Sequence, residues 1–188
     1  MPVRPLLLLG HPLLWTPAAP AEPGSSEVLE LIADLAATLA DFRERKGFGR
    51  AIAAPQIGRL VRVVFMNVGE PRALLNPRIT ARSADEMELW DDCFSFPDLL
   101  VRVNRAMQVT LAYEDLKGRP HTLQCEGPMA ELMQHEIDHL DGILAVDRAA
   151  GLDPFAFRSE WEKYHLPAER YGVPYPREAP DEAIATRL

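Results

Sequence analysis

Residues 133–142 contain His-Glu-x-x-His as His135, Glu136 and His139. On a helix, positions four apart lie on one face, a turn above one another. His135 and His139 can therefore aim two imidazoles at one metal ion. Glu136 is offset around the helix and reaches a water held there rather than the metal. The same pattern also arises as nothing more than a charged helix face. Here it lies among Met129, Leu132, Met133, Ile137 and Leu140. Polar groups buried in such company need partners, which favours metal binding.

The third ligand decides the class of enzyme. A metzincin protease continues as HExxHxxGxxH; Gly142 fits that pattern, but Ala145 stands where the last histidine would be. A gluzincin protease takes a glutamate from a later helix, and Glu160 and Glu162 are candidates. An upstream thiolate is the remaining option. Cys93, in Trp90-Asp91-Asp92-Cys93-Phe94-Ser95-Phe96-Pro97, is that candidate. A thiolate ligand favours soft or borderline metals over magnesium or calcium.

The rest of the chain must position these groups. Ser25 or Ser26 can cap a helix with Glu27 in its first turn. Val28, Leu31, Ile32, Leu35, Leu39 and Phe42 follow at helical spacing, and Gly47 stops it, so a helix is expected over 27–46. Residues 47–58 are rich in glycine and alanine, which leaves room for something to lie alongside. Strand-like runs follow at 61–67, 73–75, 87–90, 99–103, 107–113 and 121–125, the last after a turn at 114–120. Pro128 suits the first turn of the second helix. A short helix is expected over 155–165. Strands between helices point to an α+β fold, with mostly antiparallel sheets around a central HExxH helix. Residues 1–165 are expected to form a single catalytic domain, with a loosely ordered tail over 166–188.

At 188 residues and a net charge of -8, without a long basic run, the chain lacks a nucleic-acid-binding surface. No apolar stretch approaches the roughly 20 residues of a membrane span. The leucine run at 6–9 is cut short by Gly10, His11 and Pro12, which makes a poor signal peptide. Two cysteines make no disulfide framework, and a reducing, cytoplasmic setting is expected. Cys125, His11, His121 and His165 stand outside any motif and are read as core or surface residues.

Three ordered segments carry a more specific signal. Gly49 through Gln56 resembles the GxGLAAxQ motif of the peptide deformylases. Asp91 through Ser95 resembles their EGCLS, and Gln134 through Gly142 fits QHExDHLxG throughout. The similarity runs from the Gly10-His11-Pro12-Leu13-Leu14 turn to about residue 150. It implies an α+β fold and removal of the N-formyl group from new polypeptides that start with formylmethionine. It further implies one Fe(II), replaceable by zinc, nickel or cobalt, held by Cys93, His135 and His139 with water in the open position. Glu136 is then the general base, and Gln56 and the Phe94 backbone N–H meet the oxyanion. The peptide would lie along the first motif as an added strand, bonded by backbone around Arg50, Ala51 and Ile52. Its methionine would enter a pocket walled by Met129 and Leu132. Transient contact with the ribosome fits such a role.

The departures from the family fall near the cleft. Ala51 stands for the second glycine and Ile52 for leucine in the first motif. Asp91 replaces glutamate, Asp92 replaces glycine and Phe94 replaces leucine in the second. Arg105 lies fourteen residues after Asp91, the spacing at which the family pairs its glutamate with an arginine. Asp92 and Glu131 would place two carboxylates at the mouth and favour a basic substrate. An altered second motif is also what a non-catalytic, peptide-binding relative would show.

Overall fold

The computed structural model describes residues 2–165, so the tail expected over 166–188 lies outside the described residues. The first apolar stripe forms helix α1, Ser26–Lys46. The Ser25 hydroxyl accepts the Val28 N–H at 3.3 Å, and Gly47 ends the helix at φ 80°. Basic Arg43, Arg45 and Lys46 sit in the last turn, at the negative end of the helix dipole. Val28, Leu31, Leu35, Leu39 and Phe42 are buried against Ile52, Val63, Phe65 and Leu75.

Eight strands follow: β1 Ala51–Ala53, β2 Val63–Val68, β3 Glu70–Arg82, β4 Glu86–Asp92, β5 Leu99–Ala106, β6 Gln108–Glu114, β7 Pro120–Glu126 and β8 Phe155–Phe157. Helix α2, Pro128–Leu140, lies between β7 and β8, and α3, Arg158–Tyr164, follows. One antiparallel sheet has the order β1-β2-β3-β6-β7 and the other β4-β5-β8. Helix α2 packs on strands of both sheets, and its residues Ala130 to Leu140 are all buried. The architecture is the expected α+β arrangement around a central helix.

Three local expectations need correction. The strand expected at 73–75 is part of the thirteen-residue β3. Asn76-Pro77 reads as a break, but it only bends the strand: Asn76 takes φ 51°, which asparagine tolerates. Its side chain bridges Ala21 and Glu114, donating to the Ala21 carbonyl at 3.0 Å and to the Glu114 carboxylate at 2.6 Å. The stretch expected as one helix over 155–165 is a strand, β8, followed by α3. Strand β1, in the glycine- and alanine-rich first motif, is only three residues long and too short to show an alternation.

The extended N-terminus ties the motif segments together. The Leu7 N–H donates to the Gln56 carbonyl at 2.8 Å and the Leu9 N–H to the Ser95 carbonyl at 2.8 Å. The Ala18 N–H donates to the Leu140 carbonyl at the end of α2, at 2.9 Å. Gly142 makes this last approach possible. It sits at φ 71°, and a Cβ there would lie 2.8 Å from the Trp15 backbone. Both cysteines are free and buried. No helix among the described residues is long and apolar enough to cross a membrane.

Gly142→Ala should therefore destabilise the fold through two effects. The left-handed conformation costs about 1–2 kcal/mol and the overpacking about 1–3 kcal/mol. Urea denaturation of the wild type and the variant measures the sum; equal midpoints would contradict the close approach.

Candidate active site

Helix α2 carries Glu131, Gln134, His135, Glu136, Asp138 and His139 as buried polar residues. Each needs a partner, and the partners come from far along the chain. Gln134 copies a strand pairing: its amide donates to the Ala106 carbonyl at 2.9 Å and accepts the Ala106 N–H at 3.0 Å. This fixes the helix on the end of β5.

Cys93 meets the two histidines just beyond the end of β4. Its Sγ lies 3.2 Å from His139 Nε2, which lies 3.2 Å from His135 Nε2. The three donor atoms all fall within 4.8 Å of one another, and all three residues are buried. One thiolate and two imidazole nitrogens suit zinc or ferrous iron, not magnesium or calcium. The sulfur is further met by the Gln56 amide at 3.5 Å and the Ser95 N–H at 3.4 Å. The residues fit a divalent ion of this kind.

The orientation of His135 is set from behind. Its Nδ1 lies 2.9 Å from Asp91 Oδ1, leaving Nε2 for the metal. Asp91 is bound by Arg105 at 2.9 Å, as the fourteen-residue spacing predicts. Arg105 also binds Asp138 of α2, which Arg148 grips with bonds of 2.8 and 3.2 Å. The result is a buried chain from Arg148 through Asp138, Arg105 and Asp91 to His135. Burial works to raise the Asp91 carboxyl, but His135 and Arg105 overcome it and hold it well below the usual range. Burial lowers the His139 pKa, and the neighbouring His135 lowers it further, so its lone pair stays available. Burial also opposes protonation of His135, but Asp91 outweighs it and raises that imidazole's pKa.

Glu136 and His139 each keep a buried polar atom without a hydrogen-bond partner among the described residues, Oε2 in the first and Nδ1 in the second. Glu136 is 3% exposed. Burial pushes its carboxyl up to about 7, against the pull of the His135 charge. Gln56 is held by its other end: its Oε1 accepts the Ala53 N–H at 2.9 Å, which leaves the amide N–H facing the sulfur. In the turn after Cys93 the Ser95 N–H donates to the Cys93 sulfur at 3.4 Å and the Phe96 N–H to the Cys93 carbonyl at 3.1 Å.

Gln56, Cys93, Glu131, Leu132, His135 and Glu136 line a cleft of about 470 Å³, with Arg50, Ala51, Asp92 and Phe94. Three expectations change here. Met129 does not reach this cleft; it faces a separate depression with Met66 and Leu123. Arg50 spends its carbonyl on the Asn67 N–H at 2.9 Å, and Ile52 follows the same side of the ladder with its side chain in the α1 core. The backbone on the open side of β1 is therefore that of Ala51. The carboxylates at the mouth are not free. Asp92 is bound by Arg158 of α3 at 2.6 Å and Glu131 by Arg50. Burial pushes the Asp92 carboxyl up to about 7 against the Arg158 guanidinium.

Phe94 fits because its surroundings are cut for it. Its ring stacks on Phe42 with centroids 3.9 Å apart, and Gly49 leaves the space: a Cβ there would lie 2.6 Å from the ring. The glutamates of the gluzincin reading lie elsewhere. Glu160 pairs with Lys163 at 2.6 Å on an exposed face, and Glu162 is exposed. Asp138, Arg148 and Arg158 were not singled out from sequence. For Asp138 the signal was its place inside the histidine motif; Arg148 pairs with it ten residues on without belonging to any motif, and the partner of Arg158 is 66 residues away in the chain.

Arg105→Met leaves Asp91 and Asp138 buried without their shared cation. A loss of about 3–5 kcal/mol is expected in chemical denaturation. Asp91→Ala removes the group that aims His135, and metal affinity in competition with a chelator should fall about 10–100-fold. Unchanged affinity would detach the buried chain from the metal site.

Comparison with known proteins agrees with this geometry. The family model described as polypeptide deformylase matches residues 3–155. A peptide deformylase of Dictyoglomus thermophilum is 35% identical over 148 residues, which cover 78% of this chain and 93% of that protein. The crystal structure of the Thermotoga maritima peptide deformylase superposes with a TM-score of 0.74 at 28% identity, covering 80% of this chain and 100% of that one. A class I type b peptide deformylase of Acinetobacter baumannii, with Met-Ala-Ser bound, superposes with a TM-score of 0.71 at 30% identity, covering 78% and 98%. The chain belongs to the polypeptide deformylase family, metal-dependent enzymes that remove a formyl group.

Proposed function

We propose that Cys93, His135 and His139 hold one divalent ion, Fe(II) in the native protein, and that Glu136 is the general base for hydrolysis of N-formylmethionyl peptides. The observation that carries this reading is the buried Glu136 carboxylate oxygen, unpartnered beside the three converging donor atoms. The ion supplies Lewis-acid charge that acidifies water and polarises the formyl oxygen.

The residues supply the proton path and the oxyanion partners. Glu136 takes a proton from the attacking water as a C–O bond forms to the formyl carbon. A buried carboxylate oxygen with no other partner is free to take that proton and to return it. The carbonyl electrons move onto oxygen, where the Gln56 amide N–H and the Phe94 backbone N–H donate to it. As the C–N bond breaks, Glu136 returns the proton to the leaving amine. The products are formate and a peptide with a free N-terminus.

The peptide lies as an added strand along the open edge of β1, bonded through Ala51. The relative with Met-Ala-Ser bound supports a peptide with an N-terminal methionine as the ligand class. Nascent chains are the natural source, met in the cytoplasm, with transient contact at the ribosome. A non-catalytic role is disfavoured because Asp92, the most marked change, is bound to Arg158 rather than aimed at the metal donors.

Formate release from a formyl-Met peptide, with protein loaded anaerobically with Fe(II) or with Ni(II), tests the reading directly. No release from a fully metallated sample would overturn it. Glu136→Gln should lower kcat about 10²–10⁴-fold with metal content unchanged. Gln56→Ala should lower it about 10²–10³-fold. Cys93→Ala should lose the metal, read by atomic absorption; retained metal would remove Cys93 from the ligand set.

A further inference from the structure

The cleft has two chemically different ends. Cys93, His135, Glu136 and Gln56 form the reacting end. The other end lies one helical turn earlier on α2, where Pro128, Glu131 and Leu132 face Arg50 from the β1 side. A wall made only to hold an apolar side chain would carry neither charge.

This end carries an ion pair set across the gap between β1 and α2. Arg50 donates to the Glu131 carboxylate and, at 2.8 Å, to the Pro128 carbonyl. Glu131 has 3% of its side chain exposed, whereas Arg50 has 30% exposed. The carboxylate is the buried anchor and the guanidinium is the accessible group. A guanidinium has five N–H donors, and these two contacts leave others for a ligand. Arg43 also lines the cleft, with its guanidinium bound to the Asn67 carbonyl at 3.2 Å, and Asp92 is occupied by Arg158. At this end of the cleft an incoming side chain meets the Arg50 guanidinium, and the unpartnered Glu136 carboxylate belongs to the reacting end.

We propose that Arg50, positioned by Glu131, makes this end of the cleft a specificity pocket for a first residue whose side chain carries a strong hydrogen-bond acceptor, an amide or a carboxylate. The proposal rests on the deformylase reading of the same cleft. Methionine, with a weakly accepting sulfur, still enters but forfeits the charge-assisted bond. A basic side chain is opposed by the Arg50 guanidinium.

The test compares formyl-Xaa-Ala-Ser peptides with Gln, Glu, Met or Lys as the first residue, on metal-loaded enzyme. In the wild type, kcat/KM for Gln or Glu should equal or exceed that for Met and exceed that for Lys about tenfold or more. The double variant Arg50→Met/Glu131→Leu removes both charges together, so neither is orphaned. In it the Gln-to-Met ratio should fall about 10–100-fold. A smaller change overturns the proposal. Glu131→Gln keeps an acceptor for the guanidinium and should retain the preference that Glu131→Leu loses; equal ratios in the two overturn the positioning role.

Calorimetry of the product peptides Gln-Ala-Ser, Met-Ala-Ser and Lys-Ala-Ser with Ni(II)-loaded wild type reads the pocket without turnover or mutation. Gln at least equal to Met, with Lys weakest, supports the proposal; the reverse order overturns it. If no formyl peptide is cleaved but this binding order holds, the deformylase reading fails and the pocket stands. If formyl-Met alone is cleaved, the pocket fails and the deformylase reading stands.

Discussion

Helix α2 is buried along nearly its whole length while carrying His135, Glu136, Asp138 and His139 toward the interior. Taking such groups out of water costs several kcal/mol per ion unless hydrogen bonds and opposite charges replace the solvent. The rest of the chain is arranged around that demand. Strand β4 brings Asp91, with Cys93 just beyond it. Strand β5 brings Arg105, and the turn after α2 brings Arg148. Arg105 is the pivot: it stands between Asp91 and Asp138, so one cation neutralises a carboxylate on each of two elements. That link fixes the helix against β4, and through Asp91 it fixes the direction of His135. Glu136 lies outside this network, and an unsatisfied carboxylate in the core is strained toward protonation, which is the property a proton carrier needs.

The departures from the family pattern make sense as matched sets. Asp92 would be an isolated buried carboxylate, but Arg158 reaches it from α3 and also donates to the Pro97 carbonyl at 2.9 Å. The Arg158 guanidinium lies 4.3 Å from the centre of the Phe48 ring. One side chain thus ties α3, the segment around Cys93 and the loop before β1 into one unit. Phe94 is larger than leucine, and its extra volume is taken up by stacking on Phe42 and by the bare Cα of Gly49. Asp91 is one methylene shorter than glutamate, yet it still spans from Arg105 to His135. In each case the change is absorbed next to the metal site rather than transmitted to its donor atoms.

How much of this the sequence discloses depends on whether the signal is local. Helix α1 was legible to within a residue at its start, because its cap, its stripe and its terminal glycine are all local. The meeting of His135 and His139 was legible because one helical turn brings them together, and that of Cys93 with them through the order of three motifs. The Asp91–Arg105 pair was legible by its spacing. Strands β1 and β8 were hidden because three residues cannot display a period of two. The reach of β3 was hidden because Asn76-Pro77 looks like a terminus, and only its partners Ala21 and Glu114 turn it into a bend. Met129 was misplaced because two residues of the same apolar helix can face different depressions.

The largest revision concerns the electrostatics of the cleft. Counting residues places carboxylates at 92 and 131 and suggests a mouth that attracts cations. That count is incomplete, because Asp92 is 66 residues from Arg158 and Glu131 is 81 residues from Arg50. No periodicity or motif encodes contacts at such separations; only the packed fold brings them together. Once paired and buried, a carboxylate projects little field, and what a ligand meets is the partner that keeps its exposure. For the Arg50–Glu131 pair that partner is the guanidinium. The polarity of a site therefore follows from which member of each ion pair stays in contact with solvent, and for Arg50 and Glu131 that member is the cation rather than the carboxylate.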